Sequence, residues 1–132
     1  MEELFDIFYR ELRKTDLSFQ RYLMNEIDWE GRLLAITGAR GTGKTTLILQ
    51  YIRQTFGNTP KEALYVSADN IWFSGNRLFD LANNFEKQGG THLFIDEIHK
   101  YENWSKEIKN IYGKTSSISS HGWCRFSRAR LW

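Results

Sequence analysis

Gly38-Ala39-Arg40-Gly41-Thr42-Gly43-Lys44-Thr45 fills every fixed position of the pattern G-x-x-x-x-G-K-[ST]. Glycines at those positions let the backbone curl so that its amide groups point inward at phosphate oxygens, and the helix that follows adds the positive end of its dipole. Lys44 supplies a mobile charge for β- and γ-phosphates, and the Thr45 hydroxyl is a ligand for Mg²⁺. Arg40 and Thr42 serve through their backbone. Gly38, Ala39, Arg40, Gly41, Thr42, Gly43, Lys44, Thr45 and Thr46 are therefore the candidate nucleotide-binding residues.

Chance produces such a glycine-rich turn in roughly one of a few hundred chains of this length, so context decides. A compact apolar run, Leu33-Leu34-Ala35-Ile36-Thr37, ends just before Gly38, which predicts a short buried strand feeding the loop. On the other side Leu47, Ile48, Tyr51, Ile52 and Phe56 mark one face of a helix. Strand, loop and helix occur in the order the motif demands. A second Gly113-Lys114-Thr115 has Ile108 where its partner glycine should stand, and no predicted strand before it.

Farther along, Gly57-Asn58-Thr59-Pro60 stops the helix, and Ala63-Leu64-Tyr65-Val66-Ser67 reads as a second strand. Leu78, Phe79, Leu81, Ala82 and Phe85 suit a helix before Gly89-Gly90, His92–Asp96 a third strand, and about Trp104 to Tyr112 a last helix. Before the loop, Leu4, Phe5, Phe8, Tyr9 and Leu12, then Phe19, Tyr22, Leu23 and Ile27, predict two short amphipathic helices, the second capped by Asp16. Strands alternating with helices imply a parallel sheet with ligands at its carboxyl ends, hence an α/β sandwich.

The third strand delivers two carboxylates, Asp96 and Glu97, to that same end of the sheet. Asp96 is the candidate Mg²⁺ partner, mostly through water, because Mg²⁺ keeps several waters and takes few protein carboxylates. Glu97 is the candidate catalytic base that orients and deprotonates an attacking water. His99, two residues beyond Glu97, could sense the γ-phosphate but is read as a surface or structural group, and Asp69, just past the second strand, is a further candidate site-facing acid; neither joins the core site.

Bulk properties set outer bounds. The chain has 132 residues, enough for one core, with 41% hydrophobic and 26% charged residues, the proportions of a folded domain. Met1-Glu2-Glu3-Leu4 lacks the basic start and apolar stretch of a secretory signal, and no run approaches the ~18 apolar residues of a membrane span, so no membrane partner is expected. The one cysteine, Cys124, excludes an internal disulfide and fits a reducing, cytoplasmic setting. Net charge is +2, but residues 113–132 carry Lys114, Arg125, Arg128 and Arg130 without an acid. Such a segment offers nucleic acid only the sequence-independent attraction of any cationic stretch.

Gly38 to Thr46, the Asp96-Glu97 pair, Ser67-Ala68-Asp69 and Ile98-His99-Lys100-Tyr101 together resemble the AAA-type P-loop ATPases of bacteria and archaea, over about residues 17–112. The resemblance implies ATP with Mg²⁺, Lys44 on the phosphates, Thr45 and Asp96 at the metal, and Glu97 as catalytic carboxylate. It also implies a further apolar strand between the loop strand and the acidic strand, ending in a polar sensor residue, and then a helical lid with arginines. After Tyr112 this chain instead reads Gly113-Lys114-Thr115-Ser116-Ser117-Ile118-Ser119-Ser120-His121-Gly122-Trp123-Cys124, with no apolar strand in view.

The expected organisation is an N-terminal helical segment (1–30), a partial AAA-type core (31–112) and a basic, aberrant, disordered tail (113–132) of truncated or frame-shifted origin. The fold class is an incomplete P-loop parallel-sheet α/β sandwich preceded by short helices. The leading function is an ATP-binding ATPase core with impaired hydrolysis, acting with a partner protein or domain. The alternatives are a small P-loop kinase, disfavoured by the Asp-Glu pair, and a nucleotide-binding remnant or interaction module without turnover. A GTPase is disfavoured because no Asn-Lys-x-Asp guanine motif occurs.

Overall fold

Four parallel strands in the order β1-β4-β3-β2 form the sheet of this computed structural model, which describes residues 1–19, 23–27, 29, 33–38, 43–115 and 123–129. The strands are β1 (Leu33–Gly38), β2 (Ala63–Ser67), β3 (His92–Asp96) and β4 (Trp123–Ala129). The first three fall where the apolar runs predict them. Parallel neighbours need crossovers, and helices α3 (Lys44–Phe56) and α4 (Leu78–Lys87) provide them after β1 and β2.

β4 corrects the sequence reading. Residues 113–132 were expected to hold no strand, yet Trp123–Ala129 pairs with β1 on one side, Gly38 opposite Ala129, and with β3 on the other, Ile95 opposite Phe126. It stands in the place the resemblance assigns to the additional strand. The backbone groups on the facing edges of β1 and β3 therefore find partners in β4. The α/β P-loop class stands as expected, with short helices ahead of the sheet. The helical lid that the resemblance implies is not among the described residues.

α1 (Glu2–Lys14) packs against α3 and β2 through Leu4 and Phe8, as its apolar spacing requires. Glu2 and Glu3 in its first turn and Arg13 and Lys14 in its last complement the helix dipole. The next prediction is only partly met. α2 is a single turn, Leu23–Glu26, and Phe19 is 71% exposed instead of lying on a buried face. Asp16 does not cap a helix: its carboxylate accepts from the Ser18 backbone N–H at 2.8 Å and the Ser18 hydroxyl at 2.7 Å, closing a local turn. This turn is tied down by α3, whose buried Gln50 donates to the carbonyls of Asp16 and Phe19, while Arg53 donates to that of Thr15.

α4 stops at Gly89-Gly90, as read from sequence, by a Schellman closure: Gly90 N–H reaches the Phe85 carbonyl and Gly89 N–H that of Glu86, both at 3.0 Å. Gly89 has φ +89°, the left-handed conformation that glycine adopts without strain. α5 (Trp104–Thr115) packs on α4, and Glu107 of α5 accepts from the Phe79 N–H at 2.8 Å and the Tyr101 hydroxyl at 2.9 Å. A carboxylate from one helix thus satisfies a free amide at the start of another. Phe8, Ile48, Ile52, Leu64, Leu78, Leu81, Phe94, Ile95 and Ile98 form the most deeply buried part of the core. No helix of the described residues is long and apolar enough to cross a membrane.

Candidate functional site

The carboxyl ends of β1 and β3 and the first turn of α3 meet at one place. β1 ends at Gly38 and α3 starts at Lys44, preceded by Gly43 in the left-handed conformation with φ 83°. A side chain at Gly43 would be strained there, which is the conformational reason for glycine at the sixth position of the motif. Ala39, Arg40, Gly41 and Thr42 lie outside the described residues. Lys44 is half-buried, while Thr45 and Thr46 are on the exposed side of the first turn.

Thr45 and Asp96 come together as the sequence reading expects, the Thr45 hydroxyl donating to Asp96 Oδ2. Asp96 is only 4% exposed, so its carboxylate needs partners. Its partners include the Thr45 hydroxyl, the backbone N–H of Glu97 on Oδ1 at 2.9 Å, and the Tyr65 hydroxyl on Oδ2 at 2.8 Å. Burial, and then the charge of Asp96, push the Tyr65 phenol above its ordinary range, so it serves as a neutral donor.

Tyr65 is the residue that sequence reasoning missed. No motif names it. Its signal is positional: β2 pairs with β3 so that Tyr65 stands opposite Phe94 and Ser67 opposite Asp96, and side chains two apart share a face. A phenol two residues before the end of an apolar strand is thereby aimed along the face that carries Asp96.

Glu97 departs from the regular strand. Its backbone is left-handed, φ 53° and ψ 31°, a conformation that costs a non-glycine residue about 1–3 kcal/mol and concentrates at functional sites. Its Oε2 lies 3.4 Å from His99 Nε2 and 3.7 Å from Lys100 Nζ. Lys100 also reaches Asp69 Oδ2 at 3.1 Å, and Asp69 accepts from the Ser67 hydroxyl at 2.5 Å. The Ser67 hydrogen bond, then the one from Lys100, hold the Asp69 carboxyl below the ordinary carboxylate range. His99 and Asp69, left out of the core site by the sequence reading, are both in the cluster around Glu97. His99 Nδ1 is buried and has no hydrogen-bond partner among the described residues.

The donor set at Asp96 suits a hard cation. A hydroxyl and a carboxylate offer oxygen only, and Mg²⁺ takes one or two carboxylates and fills its remaining positions with water and substrate phosphate. No group of three or more His, Cys, Asp or Glu side chains able to hold a metal ion occurs among the described residues.

Comparison with known proteins adds two findings. A family model described as an AAA domain matches residues 30–121. Among solved structures, that of PCH-2 from C. elegans is similar over 98% of this chain, at 16% identity and a TM-score of 0.49. This chain spans 37% of the length of that one. No curated protein matches.

Proposed function

The chain belongs to the AAA domain family and is an ATP-binding core of that type, and from that premise we propose that Gly38–Thr46 hold the triphosphate while Asp96 and Glu97 serve its hydrolysis. The observation that carries this reading is the hydrogen bond from Thr45 to Asp96, which joins the start of the loop helix to the acidic strand. Each residue has a separate task. The backbone amides around Gly43 and the first turn of α3 face phosphate oxygens, and Lys44 neutralises the β- and γ-phosphates. Thr45 and Asp96 hold Mg²⁺, which when bound offsets charge on the phosphates and orients them. Asp96 serves the cation and leaves the proton chemistry to its neighbour.

Glu97 accepts the proton of the attacking water. In this structure Glu97 Oε2 lies against Lys100 Nζ and His99 Nε2, so reaching a water at the phosphates requires the side chain to swing away from both. Lys100 has Asp69 to retain it when that happens. Turnover by this chain alone is accordingly slow, with nucleotide grip intact, and a partner protein or domain supplies what accelerates it. Nucleotide affinity and phosphate release measured separately on one preparation test the proposal. Affinity in the micromolar range with at most a trace of Mg²⁺-dependent release agrees with it, whereas a folded chain without nucleotide affinity overturns it.

A further inference from the structure

Resting on that reading of Asp96, we infer that the Tyr65 hydroxyl is a positioning group for the metal-binding carboxylate. The torsion that turns an aspartate carboxylate is broad and roughly two-fold, so the rotamer alone does not aim its oxygens. Hydrogen bonds do. In Asp96 the Glu97 N–H holds Oδ1, while Oδ2 takes the hydroxyls of both Thr45 and Tyr65.

The two hydroxyls differ in what else they are asked to do. Thr45 belongs to the nucleotide loop helix, and its oxygen turns a lone pair to the cation when Mg²⁺ is held. Tyr65 belongs to β2, is 8% exposed, and lies with its ring in the core. A phenol so enclosed has little rotamer freedom left to lose and stays in place whether or not nucleotide is present. It therefore fixes Oδ2 from β2, an element separate from the loop helix. Asp96 and Tyr65 also satisfy each other's buried polar atoms, so removing the hydroxyl leaves the carboxylate free to rotate toward whatever donor remains.

A merely structural phenol and a positioning one predict different results. In the full chain carrying Tyr65→Phe, affinity for ATP in the presence of EDTA stays within about twofold of wild type, while the Mg²⁺ concentration that half-saturates the ATP-loaded protein rises about tenfold, the weight of one charge-assisted hydrogen bond. Asp96→Asn is the companion variant. If it raises the Mg²⁺ requirement and Tyr65→Phe does not, the inference about Tyr65 falls alone. If neither variant changes it, the metal role of Asp96 falls as well. Should Tyr65→Phe not fold, wild-type chain with 3-fluorotyrosine at position 65 gives the answer: its fluorine resonance shifts when Mg²⁺ is added to the ATP complex, and a resonance that stays put overturns the inference.

Discussion

Thr45, in the first turn of α3, donates its hydroxyl to Asp96 at the end of β3, bridging 51 positions of sequence. Two motifs that could be read separately are thereby one site. The bond also explains why Asp96 can be buried: the loop helix brings it a donor, and β2 brings another.

Glu97→Gln keeps the size and hydrogen-bonding reach of the side chain but cannot take a proton. ATP affinity is expected to stay within about threefold, while any Mg²⁺-dependent phosphate release falls at least 100-fold, the usual weight of a general base. Parallel binding and release assays check this. Equal loss of both would move Glu97 from catalysis to structure.

Gly90→Ala tests the close of α4. A Cβ at that position would lie 2.3 Å from the Phe85 ring, whose side chain is buried and has little room to yield. Overpacking of this kind costs about 1–3 kcal/mol, expected as a lower midpoint in urea at unchanged slope. Gly75→Ala, where an added Cβ meets nothing within 4 Å, is the control.

Asp69 supplies a titration. Its folded carboxyl sits below the unfolded one, whose ordinary value is 3.8, chiefly through Ser67 and then Lys100. A depressed carboxyl contributes stability that is present above the unfolded value and is lost as pH falls through the folded one. The group is 44% exposed, so solvent screening keeps the contribution small. Ser67→Ala is expected to raise the Asp69 pKa toward 3.8 by removing the first cause, read by carbon NMR of the carboxyl. An unmoved titration would remove Ser67 as that cause.

Much of this architecture was legible because single residues carried strong local signals. β2 and β3 are buried apolar runs between turn residues, and Gly89-Gly90 closes α4 in the way its composition requires. β4 was not legible. Arg125, Ser127 and Arg128 interrupt any apolar run, and what places the strand is backbone pairing in the gap between β1 and β3, a tertiary property. Asp16 failed for a related reason: the same side chain that caps helices also closes tight turns, and Ser18 two residues on decided which. Tyr65 escaped because motifs are written for residues that touch the ligand, whereas its partner is Asp96.

On the proposed function, Gly38–Thr46 grip the phosphates of ATP. Calorimetric titration of the folded 132-residue chain with Mg-ATP, beside Lys44→Ala, tests it most directly. Lys44 supplies the charge that meets the β- and γ-phosphates, so the wild-type chain is predicted to bind and the variant to lose at least about 100-fold in affinity with its circular dichroism unchanged. Equal affinity in the two proteins would contradict the account.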